Sequence, residues 1–383
     1  MRWHECTLQE IGELARGRSR HRPRYAFHLY GGPYPFIQTR EIREAKKYIN
    51  CYTQTYSEEG LKQSKIWTKG TLCITIAANI AEIGILDFDA CFPDSVLGFI
   101  PNQDKADLNF IYYTLMHYKR ELQYLGEGSV QDNINLGTFE NMKFPIPSLP
   151  EQRAIAAVLS SLDDKIDLLH RQNATLEAMA EVLFKQWFVE NAKEEWKTGC
   201  IPDEFEFTMG QSPSGDSFNE VGLGVPMFQG NADFGFRFPS KRVYTTAPTR
   251  FAQPFDTLIS VRAPVGAQNM AQEKCCIGRG LSAFRYKKNP SFYSYTYFKL
   301  RHLLRDILIY NDEGTVFGSI SKKDFDDLAI TVPDKNAVAG YEKKSAPLND
   351  KIISNCVQIR TLEKLRDALL PKLMSGEVRV SLD

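Results

Sequence analysis

Between Pro150 and Asn191 apolar side chains recur at alternating steps of four and three. The positions are Ile155, Leu159, Leu162, Ile166, Leu169, Asn173, Leu176, Ala180, Leu183 and Trp187. This is a heptad seam, the pattern of one helix wound against another helix rather than against a globular core. No Gly or Pro interrupts it after Pro150. At 1.5 Å per residue the stretch predicts a rod of roughly 60 Å. The seam calls for a partner helix elsewhere in the chain.

The flanking stretches read differently. Leu72–Ile76, Ile85-Leu86 and Val96–Ile100 are short β-rich runs, with Ala77–Gly84 as a small-residue loop, and Leu108–Leu125 carries helical spacing. The same order returns later: Leu258–Val261 as a strand, Arg262–Gly266 as a loop, Cys275–Ile277 and Leu281–Tyr286 as strands, Phe292–Tyr310 as a helix. Gly278-Arg279-Gly280 breaks the second pattern and permits close backbone approach.

That recurrence is an internal repeat. At an offset of 186 residues, the separation of Leu162 from Leu348, Leu162–Ile166 falls on Leu348–Ile352 and Thr175-Leu176-Glu177 on Thr361-Leu362-Glu363. Glu127–Val130 falls on Glu313–Val316, Phe139 on Phe325, and Thr71-Leu72 on Thr257-Leu258. With small insertions Pro35–Gln38 resembles Pro226–Gln229. The shifted seam supplies the partner helix: Tyr341, Ser345, Leu348, Ile352, Asn355, Ile359, Leu362, Arg366, Leu369 and Leu373. It is the less apolar of the two, and Pro371 is expected to end or kink it. Asn173 and Asn355 are polar seam residues of the kind that set register and orientation.

These patterns predict a mixed α/β (α+β) chain with a pseudo-two-fold internal repeat, in which two long antiparallel coiled-coil helices join and space two similar units. The expected boundaries are 1–149, a central helix over 150–192, 193–333, and a C-terminal helix over 334–383. The competing arrangement has the helices packed on the units without meeting each other.

Composition narrows the class. The 47 basic residues balance 47 acidic ones, so any anionic partner must meet a local patch. No apolar run approaches membrane-span length, and MRWHECTLQE lacks a signal-peptide layout. The eight cysteines show no CxxC, which fits buried thiols in a reducing cytoplasm better than a disulfide framework or a zinc site. The six histidines form no HxxxH or HExxH pair.

Several segments resemble the specificity subunit of type I restriction–modification systems. They are Pro147-x-x-Pro150-Glu151-Gln152, Gln211-Ser212-Pro213 with Gly224-Val225-Pro226 and Gln229-Gly230, Arg262-Ala263-Pro264-Val265-Gly266, Glu313-Gly314-Thr315 before Ile320, and Leu369–Leu373 with Ser375-Gly376-Glu377. The resemblance spans nearly the whole chain. It implies two target-recognition domains that each read half of a bipartite, asymmetric site in double-stranded DNA. It implies helices that set the spacer and dock two methyltransferase (modification) subunits, with restriction/translocase subunits as further partners. The subunit itself is then not catalytic and binds no cofactor, S-adenosylmethionine, Mg and ATP being expected on the partner subunits.

Candidate DNA contacts follow. Arg16, Arg18, Arg20, Arg22 and Arg24 alternate with other residues, where arginine can meet phosphate or read guanine, against a solvated loop as the plain alternative. The counterpart, Met209–Asp216, carries no basic residue. Arg262 can reach DNA or brace the strand end, and Arg279 can meet a phosphate or brace backbone. Asn79 suits an adenine edge or a plain turn. Gln38, Thr39 and Arg40, like Gln229 and Asn231, follow short apolar strands, where base reading competes with turn capping. Lys62, Lys65, Trp67 and Lys69, and Arg237, Lys241 and Arg242, meet phosphates or only water. Tyr112, Tyr113, Tyr293, Tyr295 and Tyr297 read as core residues.

Two other functions are weighed. A coiled-coil scaffold without base-specific binding would show no salt-sensitive duplex affinity. A DNA-acting enzyme would use Pro333-Asp334 with Glu342-Lys343-Lys344, a loose metal-nuclease spacing whose first-repeat counterpart near Pro147–Arg153 lacks the matching set. No methyltransferase motif is present.

Overall fold

The computed structural model describes residues 3–21, 23, 26–77, 79–127, 134–312 and 319–381, with the side chains of 127 and 305–312 excepted. Arg22, Arg24 and the repeated turns at 128–130 and 313–316 lie outside the described residues. The chain divides into two compact units, Met1–Lys165 with Leu362–Asp383, and Ile166–Thr361. Both long helices therefore contribute to each unit.

In the first unit five strands lie in the order Gly12–Arg16, Val96–Pro101, Leu72–Thr75, Ile83–Leu86 and Tyr48–Ile49. A four-stranded sheet runs Gln54–Tyr56, Tyr30–Phe36, Ala90–Cys91 and Ile66–Trp67, with the middle pair parallel. The second unit repeats the scheme. Its antiparallel sheet is Phe205–Met209, Leu281–Tyr286, Thr257–Ser260 and Gln268–Met270, and Val225–Phe228 pairs in parallel with Cys275–Ile277. The strand after the first loop begins at Ile83, not Ile85. Gly84 faces Cys73 there, and a Cβ on it would stand 2.9 Å from Ile49, so glycine lets Ile49 seat against the sheet.

The central helix spans Leu149–Lys185 and ends in a π turn over Gln186–Glu190. Gln152 fixes its start. Buried to 1% exposure, its amide donates to the Lys105 and Pro147 carbonyls at 2.9 and 3.0 Å and accepts from the Asp107 N–H at 2.8 Å. The C-terminal helix spans Lys335–Met374, capped by Asp334, whose Oδ1 accepts from the Ala337 N–H at 2.9 Å. Contrary to expectation Pro371 does not end it. The Pro371 carbonyl still accepts from the Ser375 N–H at 3.0 Å, and the helix closes at Gly376, whose φ is +73°. Pro347 also lies inside this helix, on its exposed side where water can meet the carbonyl the ring leaves unbonded.

The helices pair with each other inside each unit. In the first, Arg366 Nη1 donates to Asp163 Oδ1 at 2.9 Å, and Tyr113 donates to Asp163 Oδ2 at 2.6 Å. In the second, Asn355 meets Asn173, and the Tyr341 hydroxyl donates to the Ala180 carbonyl at 3.3 Å, an antiparallel register. They also join the globular cores, which corrects the reading of a seam apart from any core. Ile155, Leu159, Leu370 and Leu373 share one cluster with Leu72, Phe99 and Phe110. Ala180, Phe184, Ile352 and Cys356 share another with Ile259, Phe284 and Phe298. Of the seam, Ile155, Leu159, Ile166, Leu169, Asn173, Ile352, Asn355 and Ile359 are buried, while Leu162, Leu176, Leu348 and Leu362 are half-buried.

Candidate nucleic-acid interface

Strand order brings distant loops to one end of each sheet. In the first unit the strand ending at Arg16, the strand starting at Val96 and the strand ending at Thr75 finish side by side. Beyond them the Gly17 N–H donates to the Val96 carbonyl at 2.8 Å, the Arg18 N–H to Phe92 at 3.0 Å, and the Ile37 N–H to Cys91 at 2.8 Å. The second unit repeats the first two bonds, Gly210 to Leu281 at 2.8 Å and Gln211 to Ile277 at 3.0 Å, while its third runs the other way, the Gly278 N–H donating to the Phe228 carbonyl at 2.8 Å. Arg18–His21, Gln38–Arg40 and Phe92–Ser95 thus form one loop cluster. Gln211–Ser214, Gln229–Asn231 and Gly278–Gly280 form its counterpart.

Glycines permit this closeness. A Cβ on Gly17 would stand 2.3 Å from the Pro93 carbonyl oxygen, and one on Gly210 would stand 2.1 Å from that of Gly278. On Gly280 a Cβ would reach within 2.3 Å of the Gln229 oxygen. Glycine after Arg279 is therefore a packing requirement.

The adjoining loop is also built alike. Thr75 Oγ1 accepts from the Glu82 N–H at 2.9 Å and donates to the Asn79 carbonyl. Ser260 Oγ accepts from the Ala267 N–H at 2.8 Å and donates to the Pro264 carbonyl at 2.7 Å. One hydroxyl at a strand end clasps the loop in each case, so the loops that follow Thr75 and Ser260 are closed by the same structural device. Arg262 and Asn79 accordingly lie at the same sheet end as the clusters.

Side chains on this frame differ between units. Arg16 and Arg20 are exposed and have no ion pair among the described residues, whereas Arg18 turns inward, Nη2 donating to the Lys62 carbonyl at 3.3 Å. Gln63 Oε1 takes the backbone N–H groups of Arg20 and His21 at 2.6 and 3.0 Å, so the start of the arginine stretch is anchored. Gln38 precedes the helix Thr39–Glu44, and Arg40 is held by Glu44 at 2.9 Å in an exposed pair of small energetic weight. In the second unit Arg262, Arg279 and Gln229 are exposed and Asn231 is half-buried.

Other expectations change. Arg237 has 0% exposure, lies 3.9 Å from the centre of the Tyr297 ring and pairs with Glu177 at 3.1 Å, so it meets neither phosphate nor water. Trp67 is buried against Phe92, while Lys65 lies over its ring and Lys69 pairs with Asp87. Lys241 pairs with Glu273, and Arg242 with Asp233 at 3.1 Å. The nuclease-like acids have separate duties. Asp334 caps its helix and accepts from Trp196 Nε1 at 3.1 Å, which holds its carboxyl below the usual range. Glu342 accepts the N–H groups of Ser294 and Tyr295 at 3.2 and 2.8 Å, and burial pushes its carboxyl up to about 7. Among the described residues no His/Cys/Asp/Glu group is arranged to hold a metal.

The family described as the type I restriction modification DNA specificity domain matches residues 2–178. A Methanocaldococcus jannaschii chain assigned as the type I restriction enzyme MjaX specificity subunit is 31% identical over 299 residues, covering 73% of this chain and 70% of its own length. This chain belongs to the type I specificity-subunit family. The MjaIX specificity subunit of the same organism is 26% identical across 99% of this chain and 94% of its own. The crystal structure of a type I restriction–modification S subunit from M. genitalium covers 97% of this chain and 96% of its own, with a TM-score of 0.63 at 17% identity. That likeness is one of fold. Members of the family are specificity components and not the catalytic ones, and no described helix here is long and apolar enough to cross a membrane.

Ser212 also lies in the second cluster, and the sequence does not single it out. Its partner Gln229 lies 17 residues away, beyond the reach of any local pattern.

Proposed function

We propose that this specificity subunit recognises a bipartite, asymmetric site in double-stranded DNA, its two target-recognition domains (1–149 and 193–333) each reading one half. It directs two methyltransferase subunits and restriction/translocase subunits to that site in the cytoplasm. The helices over 150–192 and 334–383 space the readers and dock the partners. The subunit contributes recognition and no catalysis, with S-adenosylmethionine, Mg and ATP bound by the partners.

One observation carries the reading: two loop clusters of the same backbone construction present different side chains. Arg18, Arg20 and Asp94 in one stand where Gln211, Pro213 and Arg279 stand in the other. A shared frame with divergent side chains, Arg20 exposed in one cluster and Gln211 and Arg279 in the other, suits two readers of unlike sequence, because base contacts specify while the frame only positions them. Arg16, Arg20, Arg262, Arg279 and Asn79 face the duplex in this reading, with Gln38, Thr39, Arg40, Gln229 and Asn231 nearest the base edges.

Selection from a random duplex library by the subunit with its methyltransferase partners tests this. A split motif is expected, and exchanging residues 193–333 for those of another specificity subunit changes one half alone. A palindromic unsplit motif, or binding without sequence preference, would sink the two-reader function and favour the scaffold.

A further inference from the structure

Gln38 and Gln229 stand at matching places, each just beyond the strand that pairs in parallel with the Cys91 or the Cys275–Ile277 strand. Their amides are held in opposite senses. Ser212 Oγ accepts from the Arg279 N–H at 3.2 Å, and its own proton goes to Gln229 Oε1 at 3.0 Å. The structure sets Oε1, not Nε2, of Gln229 against the Ser212 hydroxyl, and an amide oxygen only accepts, so the relay runs from Arg279 through Ser212 to Gln229. Oε1 is thereby turned inward, and the exposed Nε2 has no protein partner among the described residues. Gly278 leaves the room: a Cβ there would stand 3.1 Å from Oε1 and 3.2 Å from Cδ of Gln229. Gln38, by contrast, gives its Nε2 to Gln54 Oε1 at 2.8 Å and has its donor end committed to the fold.

We propose that Gln229 is a specificity-determining residue that offers a fixed N–H donor to a keto oxygen in the major groove, guanine O6 or thymine O4. Ser212 is its positioning residue. The proposal rests on the reading of this unit as a DNA reader. Transition partners exchange donor for acceptor at this place: guanine O6 and thymine O4 accept, adenine N6 and cytosine N4 donate. A fixed donor therefore prefers G over A, or T over C, on the strand it faces, on the order of tenfold. An amide free to turn would offer either end and lose the preference.

Duplex selection with the assembled subunit and its methyltransferase partners reads this directly. Q229E is isosteric and exposed, keeps an acceptor for Ser212 and presents an acceptor outward. It is expected to invert one position of one half-site, from G to A or from T to C, while Q229A and S212A flatten that position. The other positions and the melting temperature stay as in the wild type. A Q229E motif identical to the wild-type motif would overturn the role of Gln229. Uniform relaxation of every position by S212A would overturn the positioning role. Absence of any motif with the wild-type protein would instead remove the DNA-reading function itself.

Discussion

The Asn355 amide donates to Asn173 Oδ1 at 2.9 Å across the helix pair, with both residues at 0% exposure. The amide of Asn173 in turn points at Cys356 Sγ, 3.5 Å away. Around them the seam is apolar, with Leu169, Ile352 and Ile359 buried close by in sequence. A side-chain amide in such a setting is costly unless it meets another, so one register lets the two amides meet and a shift by a heptad strands both.

Removing one member therefore costs more than removing both. N355L is expected to lower stability by about 1–3 kcal/mol by orphaning the buried Asn173 amide. N173L/N355L should recover most of that loss and broaden the range of helix pairings. Urea denaturation with light scattering checks the order; equal losses for single and double variants would show that the pair does not set register.

A buried cation in the second unit makes a sharper case. Arg237 lies over Tyr297 and bonds Glu177, which Arg301 also contacts at 3.1 Å. E177Q leaves a guanidinium without countercharge in the core and should cost about 3 kcal/mol or more. R237M should cost less, because Glu177 keeps Arg301. Chemical denaturation of the two variants tests the ranking, and the reverse order would refute it.

The pH response follows from Glu342, whose carboxyl burial raises from its ordinary value of 4.5 to about 7. Between those values the folded chain holds a proton that the unfolded chain releases. Its contribution is full below pH 4.5 and fades as the pH rises through about 7, by an amount on the order of 3 kcal/mol. Glu204, raised by burial as well, adds in the same direction. Melting temperature should fall from pH 5 to 8, and E342Q should make that fall shallower; an unchanged slope would contradict it.

Arg16 and Arg20 carry the electrostatic prediction. Both are exposed, so R16Q/R20Q should leave the melting temperature unchanged. If each meets one phosphate, the slope of log K against log salt should become less steep by about 2. Affinities between about 50 and 200 mM salt measure this, and a slope equal to that of the wild type would place both arginines off the duplex.

Much of the architecture is local and was legible in the chain itself. The seam from Ile155 to Trp187 shows its period within a few turns, and the repeat at 186 residues announces a second helix and a second unit. Asn173 and Asn355 stood out because a polar residue breaks an apolar period. The strand at Leu72–Thr75 and the long helix from Leu108 announced themselves in the same way.

Tertiary structure decided everything that depends on residues far apart meeting. Arg237 reads as a surface cation until Glu177 and Tyr297 enclose it, and Pro371 as a helix end until its carbonyl is seen bonded to Ser375. Whether the seam faces only a helix or also a core depended on Phe99 and Phe110 reaching Ile155 and Leu159. The loop clusters exist because strands far apart in sequence, among them the parallel pair Val225–Phe228 and Cys275–Ile277, bring Gln211, Gln229 and Arg279 to one end. The sequence supplies the chemical groups. Only packing determines which end of an amide remains free, because a hydrogen bond depends on position and direction that spacing along a chain does not carry.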